Sequence, residues 1–120
     1  MNTFLAVFIG GGLGSLARYG LSVYIRNLNW VELPIATFGA NVISTMILGL
    51  AFFSVKSSTP HWAYALLAIG FCGGFSTFST FSLETFLLIK EGHTSWAIAN
   101  VAVSIGLCLF ILFYLSKSFK

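Results

Sequence analysis

Apolar residues fall into four long runs that are separated by short polar links. The runs cover approximately residues 3–25, 34–55, 62–90 and 95–115. Each run reaches or exceeds the roughly 20 residues that an α-helix needs to cross a bilayer. The links read RNLNWVEL, KSSTPH and KEGHTS, and each is too short to hold a separate domain. The pattern predicts an all-α integral membrane protein whose four transmembrane helices form a single domain, residues 1–120.

Composition agrees with residence in a membrane. Of the 120 residues, 58% are hydrophobic and 8% are charged, whereas soluble domains carry about 25% charged residues. A soluble protein of this length would need a very large core, although small domains bury proportionately less surface. The amino-terminal segment lacks a basic n-region and continues into a longer apolar run. We therefore expect a retained span there and no cleavable signal peptide.

The positive charges are scattered, so they form no cluster of the kind that binds nucleic acid. Membrane orientation should follow the Lys/Arg bias between the two sides. One side has three lysines, and the other has two basic residues plus one within the first span: Lys56, Lys117 and Lys120 against Arg26, Lys90 and Arg18. This near balance leaves two interpretations open. Either a weaker signal orients the chain, or the chain inserts both ways and pairs antiparallel with itself.

Neither the cysteines nor the histidines form a reactive or metal-binding set. Cys72 and Cys108 lie in separate apolar segments without a CxxC or Cys/His pattern, so we interpret them as buried small residues. His61 and His93 are isolated near predicted helix ends, with no nucleophile or metal partner set. The chain is therefore predicted not to be an enzyme.

The first span carries GGGLGS followed by an arginine. Gly10 and Gly14 form a GxxxG pattern, which lets two helix backbones approach closely. Arg18 lies roughly 10 Å from the end of the span at 1.5 Å per residue. Two interpretations of Arg18 stay open. Its side chain snorkels to the interface, or it places a fixed positive charge in a watery vestibule that concentrates anions.

Polar side chains inside the second and fourth spans follow helical spacing. The two resulting stripes consist of Thr37, Asn41, Ser44 and Thr45 on one helix and Asn100, Ser104 and Cys108 on the other. Each stripe either forms ordinary interhelical hydrogen bonds or lines a pathway. In the second case Asn41 would present an N–H donor to whatever passes.

The third span contains the strongest anomaly, the stretch GFCGGFSTFSTFSLET. Two glycines followed by hydroxyl residues favour a break in the helix, which we place at Gly73-Gly74. Irregular backbone at membrane depth occurs where it is buried in protein or lines a cavity, and its freed carbonyls can coordinate cations. Phe78 and Phe81 share a helix face, and their positive ring edges suit an anion. Glu84 either sits off this path, pairs with a cation or carries a proton.

Three motifs in order, GGxLGSLARY, ATFGANVISTMILG and GGxSTFSTFSLE, resemble the Fluc (CrcB) family of fluoride channels over essentially the whole chain. The resemblance implies an antiparallel, dual-topology homodimer in the cell inner (plasma) membrane, with a broken third helix and two antiparallel pores. It implies a channel that exports cytoplasmic fluoride passively and so reduces fluoride toxicity. The implied partners are fluoride, a second copy of the chain and the lipid bilayer.

The resemblance further assigns roles to individual residues. The residues implied for the fluoride path are Asn41, Phe78, Ser79, Thr80, Phe81 and Ser104. Arg18 would lie in the vestibule. The backbone carbonyls of Gly73 and Ser76 would hold a structural sodium ion (Na+) at the centre of the dimer. The resemblance leaves Glu84 and Cys108 without a role.

Three other functions are weighed against this one. A small multidrug antiporter needs a carboxylate in its first helix, and the first span has none. A proton-coupled fluoride exchanger would use Glu84 as its proton carrier. A purely structural membrane protein would carry no flux at all.

Overall fold

The computed structural model describes residues 1–28 and 34–120, so the middle of the predicted first link lies outside the described part. Every regular element in the described part is helical. In chain order the elements are α1 (Thr3–Asn27), α2 (Ile35–Ser54), α3 (His61–Tyr64), a π-helical segment (Ala65–Phe71), α4 (Cys72–Phe75), α5 (Phe78–Lys90) and α6 (Thr94–Ser118). The predicted all-α class is confirmed.

Four helical stretches are long and apolar enough to cross a membrane, as predicted. They are Thr3–Asn27, Ile35–Ser54, His61–Lys90 and Thr94–Ser118. The bundle is 51 Å long, which exceeds the roughly 30 Å hydrocarbon core of a bilayer. Large apolar side chains cover its outer surface; Phe4 is 87% exposed and Phe113 is 67% exposed. Such a surface suits lipid, because in water it would be a large unfavourable apolar patch.

The third span departs from helix two residues later than predicted. Gly73 and Gly74 both lie within α4. The backbone is extended at Ser76, where ψ is 159°, and at Thr77, where φ is −155°. The prediction that the helix breaks at Gly73-Gly74 is therefore wrong. Helix resumes at Phe78 because the Thr77 side chain caps it, accepting a hydrogen bond from the Thr80 N–H.

Gly74 of this pair, and Gly70 before it, pack against the backbone of α1. A Cβ added at Gly74 would collide with the carbonyl oxygen of Gly11 in α1, and one added at Gly70 would lie 2.8 Å from a carbonyl of the same helix. On the α1 side of the same contact, Gly10 and Gly14 face the backbone of the π-helical segment. The GxxxG prediction of close helix approach is confirmed here. Glycine at these positions allows contact, and it does not end the helix.

The remaining helices pack as two further layers. α2 lies against α6, and α5 lies against α6 as well. A tight reversal joins the last pair: Gly92 has φ 85°, and the His93 N–H donates to the Leu88 carbonyl over 2.8 Å. This is a Schellman motif, in which glycine supplies the left-handed residue that ends a helix. It returns α6 alongside α5 and brings the polar stripe of α6 to the third span.

The close contact at Gly14 predicts a sharp difference between two alanine substitutions. Gly14→Ala would press a methyl group on the Phe71 carbonyl oxygen and place it 2.8 Å from the Phe75 nitrogen. Neither backbone atom can rotate away, so we expect a loss of about 1–3 kcal/mol in the free energy of unfolding.

Gly12→Ala is the matched control, because nothing lies within 4 Å of an added Cβ at Gly12. Alanine is the better helix former by about 1 kcal/mol, so this variant should be as stable as wild type or more so. Reversible unfolding in detergent measures both. Equal stability of the two variants would contradict the packing described here.

Candidate functional site

The side chain of Asn41 on α2 holds the extended backbone of the third span at two points. The Thr77 N–H donates to Asn41 Oδ1 over 2.8 Å, and Asn41 Nδ2 donates to the Thr77 carbonyl over 3.2 Å. The pair of bonds fixes the amide, since its oxygen must face an N–H and its nitrogen must face a carbonyl. One N–H of Asn41 is left over for a further acceptor. Asn41 therefore makes the interhelical bonds of the first interpretation, and the second, a donor that faces a pathway, stays a prediction.

Two backbone carbonyls lose their helical partners at this point. In a continuous helix the Thr77 N–H would bond to the Gly73 carbonyl, but it bonds to Asn41 instead. The Thr80 N–H would bond to the Ser76 carbonyl, but it bonds to Thr77 Oγ1 over 3.1 Å. The carbonyl oxygens of Gly73 and Ser76 are thereby released from the helical ladder. Freed carbonyls of this kind are typical ligands for sodium in broken membrane helices.

Side chains donate hydrogen bonds to the neighbouring carbonyls of Cys72 and Gly74. The Cys72 carbonyl accepts from Ser44 Oγ over 3.0 Å and from Ser76 Oγ over 2.6 Å. Arg18 Nε donates to the Gly74 carbonyl over 3.1 Å. Arg18 is thus tied into the end of α4 and is half-buried, which differs from a side chain that snorkels freely to the interface.

An open groove of about 320 Å³ lies beside this polar junction. Four of the residues predicted for the fluoride path line it together, namely Asn41, Phe78, Phe81 and Ser104. The Phe78 and Phe81 ring centroids are 6.0 Å apart, with the ring planes tilted by 36°. Phe81 is 9% exposed whereas Phe78 is 79% exposed. The groove therefore has one buried ring in its wall and one ring that projects from the chain.

Ser79 and Thr80, the other two residues predicted for the fluoride path, do not line the groove. They occupy the first turn of α5. Ser79 Oγ lies 3.3 Å from Thr77 Oγ1. Cys108, which was left without a role, does line the groove, and its thiol donates weakly to the Asn41 carbonyl over 3.9 Å.

Glu84 lies outside the groove. Its Oε1 accepts a hydrogen bond from Thr37 Oγ1 over 2.8 Å. Its Oε2 is buried and has no hydrogen-bond partner within residues 1–28 and 34–120. The carboxylate is not among the residues that line the groove. Of the three interpretations of Glu84, its position favours the first, in which it sits off the path.

Thr77 is the functional residue that sequence reasoning missed. Its N–H, carbonyl and hydroxyl all take part in the junction between α2, α4 and α5. A signal was present, because a threonine directly before a helical run is typical of an N-cap. The prediction from Gly73 and Gly74 instead places the break in the helix before Ser76 and Thr77, where it occurs.

Comparison with known proteins gives one family. The sequence model of the family described as CrcB-like protein, Camphor Resistance (CrcB), matches residues 5–115. The chain is 41% identical over 109 residues to a protein of Serratia proteamaculans named fluoride-specific ion channel FluC, covering 88% of this chain and 84% of that protein. It is 44% identical over 108 residues to fluoride-specific ion channel FluC 1 of Yersinia pestis, with 88% and 84% covered.

The double bond to Thr77 predicts a stability cost for Asn41→Leu. Leucine keeps a similar volume but leaves the Thr77 N–H and carbonyl without their partners. Each unpaired buried group costs about 1–3 kcal/mol, so unfolding should require less denaturant and the Thr77 amide hydrogen should exchange faster.

Thr45→Val is the control, because the Thr45 hydroxyl donates within its own helix, to the Asn41 carbonyl over 2.8 Å. A bond of this local kind adds little to helix stability. Hydrogen exchange at Thr77 that is equal in both variants would contradict the role of Asn41.

Proposed function

The chain belongs to the CrcB family and is not an enzyme, and we propose that it is a fluoride-selective channel that exports cytoplasmic fluoride passively across the cell inner membrane. The observation that carries the proposal is the groove that Asn41, which has a spare N–H, lines together with the rings of Phe78 and Phe81. Relatives that carry the name fluoride-specific ion channel support the choice of ion.

The groove suits a small anion for two physical reasons. The Asn41 oxygen is engaged by the Thr77 N–H, so the amide offers the groove a donor and not an acceptor. Aromatic rings are positive at their edges, so Phe78 and Phe81 can contact an anion edge-on. Within the described part of the chain the groove is lined by no carboxylate that would repel the ion.

Export needs no energy source other than the membrane potential. Fluoride enters a cell as neutral HF and dissociates in the less acidic cytoplasm. A potential of 100 mV, negative inside, then favours the exit of one anion by about 2.3 kcal/mol. The channel would thereby reduce fluoride toxicity without a pump.

We further propose that two copies pair antiparallel and form two pores. The groove is open along one side, and Phe78 projects from it with 79% of its surface exposed. A second copy would cover this ring and close the path. The nearly balanced Lys/Arg distribution supports insertion in both orientations.

A structural sodium ion fits the same arrangement. The carbonyls of Gly73 and Ser76 have lost their helical partners, and Gly73 is exposed on the surface of the single chain. Carbonyl oxygen is a hard ligand that suits an alkali cation. The two carbonyls of each copy would hold the ion at the centre of the dimer, where it would supply positive charge between the copies.

A proton-coupled fluoride exchanger is the second candidate. The observation that favours it is the buried Oε2 of Glu84, which has no hydrogen-bond partner in the described residues and would be the atom that carries the proton. An exchanger moves one proton for each fluoride ion or in another fixed ratio. A channel moves fluoride without protons, and its flux follows the voltage.

We predict fluoride efflux from liposomes that contain the purified protein, with chloride efflux at background level. Phe78→Ile should abolish the flux, because an aliphatic side chain has no positive edge to present to the ion. An ion-selective electrode measures efflux, and an internal pH dye measures protons.

Ile105→Leu is the control, because Ile105 also lines the groove but presents only aliphatic surface before and after the change. This variant should conduct. Protein vesicles that release no more fluoride than empty ones would refute the channel. Proton movement in fixed ratio to fluoride would favour the exchanger.

Sodium removal gives a separate prediction. When sodium is replaced by the larger N-methylglucamine cation, the dimer should dissociate at a lower detergent-to-protein ratio, or the flux should fall. Replacing sodium by potassium, which is also an alkali cation, tests more finely how the site depends on the size of the ion. Light scattering gives the mass of the assembly, and full indifference of both mass and flux to the cation would count against a sodium site at Gly73 and Ser76.

A further inference from the structure

A chain of side-chain hydrogen bonds connects α5 with α6 beside the groove. Thr85 Oγ1 donates to the Phe81 carbonyl over 2.7 Å, and Asn100 Nδ2 donates to Thr85 Oγ1 over 3.0 Å. One turn further along α6, Ser104 Oγ donates to Asn100 Oδ1 over 3.4 Å. Ser104 is 5% exposed and lines the groove. The hydrogen-bond chain therefore ends on the proposed fluoride path.

The direction of every bond in this chain follows from its far end. A carbonyl oxygen only accepts, so the single hydroxyl proton of Thr85 must go to Phe81. The Thr85 oxygen must then accept from Asn100, which turns the amide nitrogen toward Thr85. The amide oxygen faces Ser104 and also only accepts, so the Ser104 proton points to Asn100.

Ser104 consequently turns lone pairs, and not its proton, toward the groove. Lone pairs repel an anion, so Ser104 can donate to fluoride only after its proton leaves Asn100. The bond between Ser104 and Asn100, at 3.4 Å, is the longest of the three. It exceeds the roughly 2.5–3.0 Å range of good O–H···O bonds. This bond is the one that an arriving anion can displace.

We propose that Asn100, oriented by Thr85, is a positioning residue that controls anion binding at Ser104. The inference rests on the fluoride channel proposed above. Asn100 competes with the anion for one proton: it holds the proton when the site is empty, yields it when the anion arrives, and takes it back when the anion leaves. Conduction requires binding that is weak enough for release, and this competition weakens binding without removing the donor.

Thr85→Val tests the proposal with little change in shape. Valine cannot accept from Asn100, so the amide is free to rotate and present its N–H groups to Ser104, whose proton then faces the groove. Loss of one competing hydrogen bond should lower the half-saturating fluoride concentration by about two- to ten-fold. The fluoride dependence of the initial efflux rate gives this concentration. Thr85→Ser keeps the hydroxyl and should behave as wild type.

Asn100→Leu should act in the same direction. Asn100 borders a separate cavity of about 200 Å³, together with Phe38 and Trp96, so this variant alters that cavity, whereas Thr85 lines neither it nor the groove. Gel filtration and thermal unfolding confirm that each variant is folded. If Asn100→Leu does not fold, Thr85→Val alone decides the matter.

The decisive experiment repeats Thr85→Val and Asn100→Leu in a Ser104→Ala background. If Asn100 acts through the Ser104 proton, Thr85→Val should change the half-saturating concentration with serine at 104 and leave it unchanged with alanine. An equal change in both backgrounds, or no change with serine, would overturn the inference while the channel stands. Absence of fluoride efflux from the wild-type protein would overturn the proposed function, and this inference with it.

Discussion

The carboxamide of Asn41 is the group on which the rest of the site depends. Backbone that leaves the helix at membrane depth finds no water to satisfy its N–H and carbonyl groups. Asn41 supplies both bonds to Thr77 from a neighbouring helix. This makes the extended residues at Ser76 and Thr77 tolerable, and with them the released carbonyls and the capped start of α5. One side chain of α2 therefore supports both the groove and the released carbonyls of Gly73 and Ser76.

The polar stripe of α2 acts as a whole in the same way. Thr37 bonds to Glu84, Asn41 bonds to Thr77 and Ser44 bonds to the Cys72 carbonyl. Each polar bond between membrane helices contributes only about 0.6–2 kcal/mol, so no single one would hold α2 against the third span. Three at helical spacing fix both the distance and the rotation of α2. Packing of glycine backbone fixes the third span against α1 from the other side.

The sequence predicts the spans well and the junction poorly, for a physical reason. Apolar runs and a GxxxG pattern are local properties, so the four helices and the close approach at Gly10 and Gly14 can be read directly. Gly73 and Gly74 weaken a helix in isolation, and no local pattern shows that Gly74 packs against α1 in a stretch that stays helical. The bonds that build the site join residues 36 and 56 positions apart, as for Asn41 with Thr77 and Arg18 with Gly74. Nothing local in the chain encodes those pairings.

The π-helical segment Ala65–Phe71 has a consequence for how this family of sequences can change length. A π-turn holds one more residue than an α-turn, and one residue of α-helix corresponds to a rotation of about 100°. Each residue of the π-helical segment therefore rotates the chain less than a residue of α-helix does, so the segment takes up one extra residue with little change in rotation. Removing a single residue there would restore regular helix and leave Gly74 facing α1 and Thr77 facing Asn41. The segment is thus the place where the third span can lose one residue, whereas a deletion in its regular helix would rotate everything beyond it by about 100°.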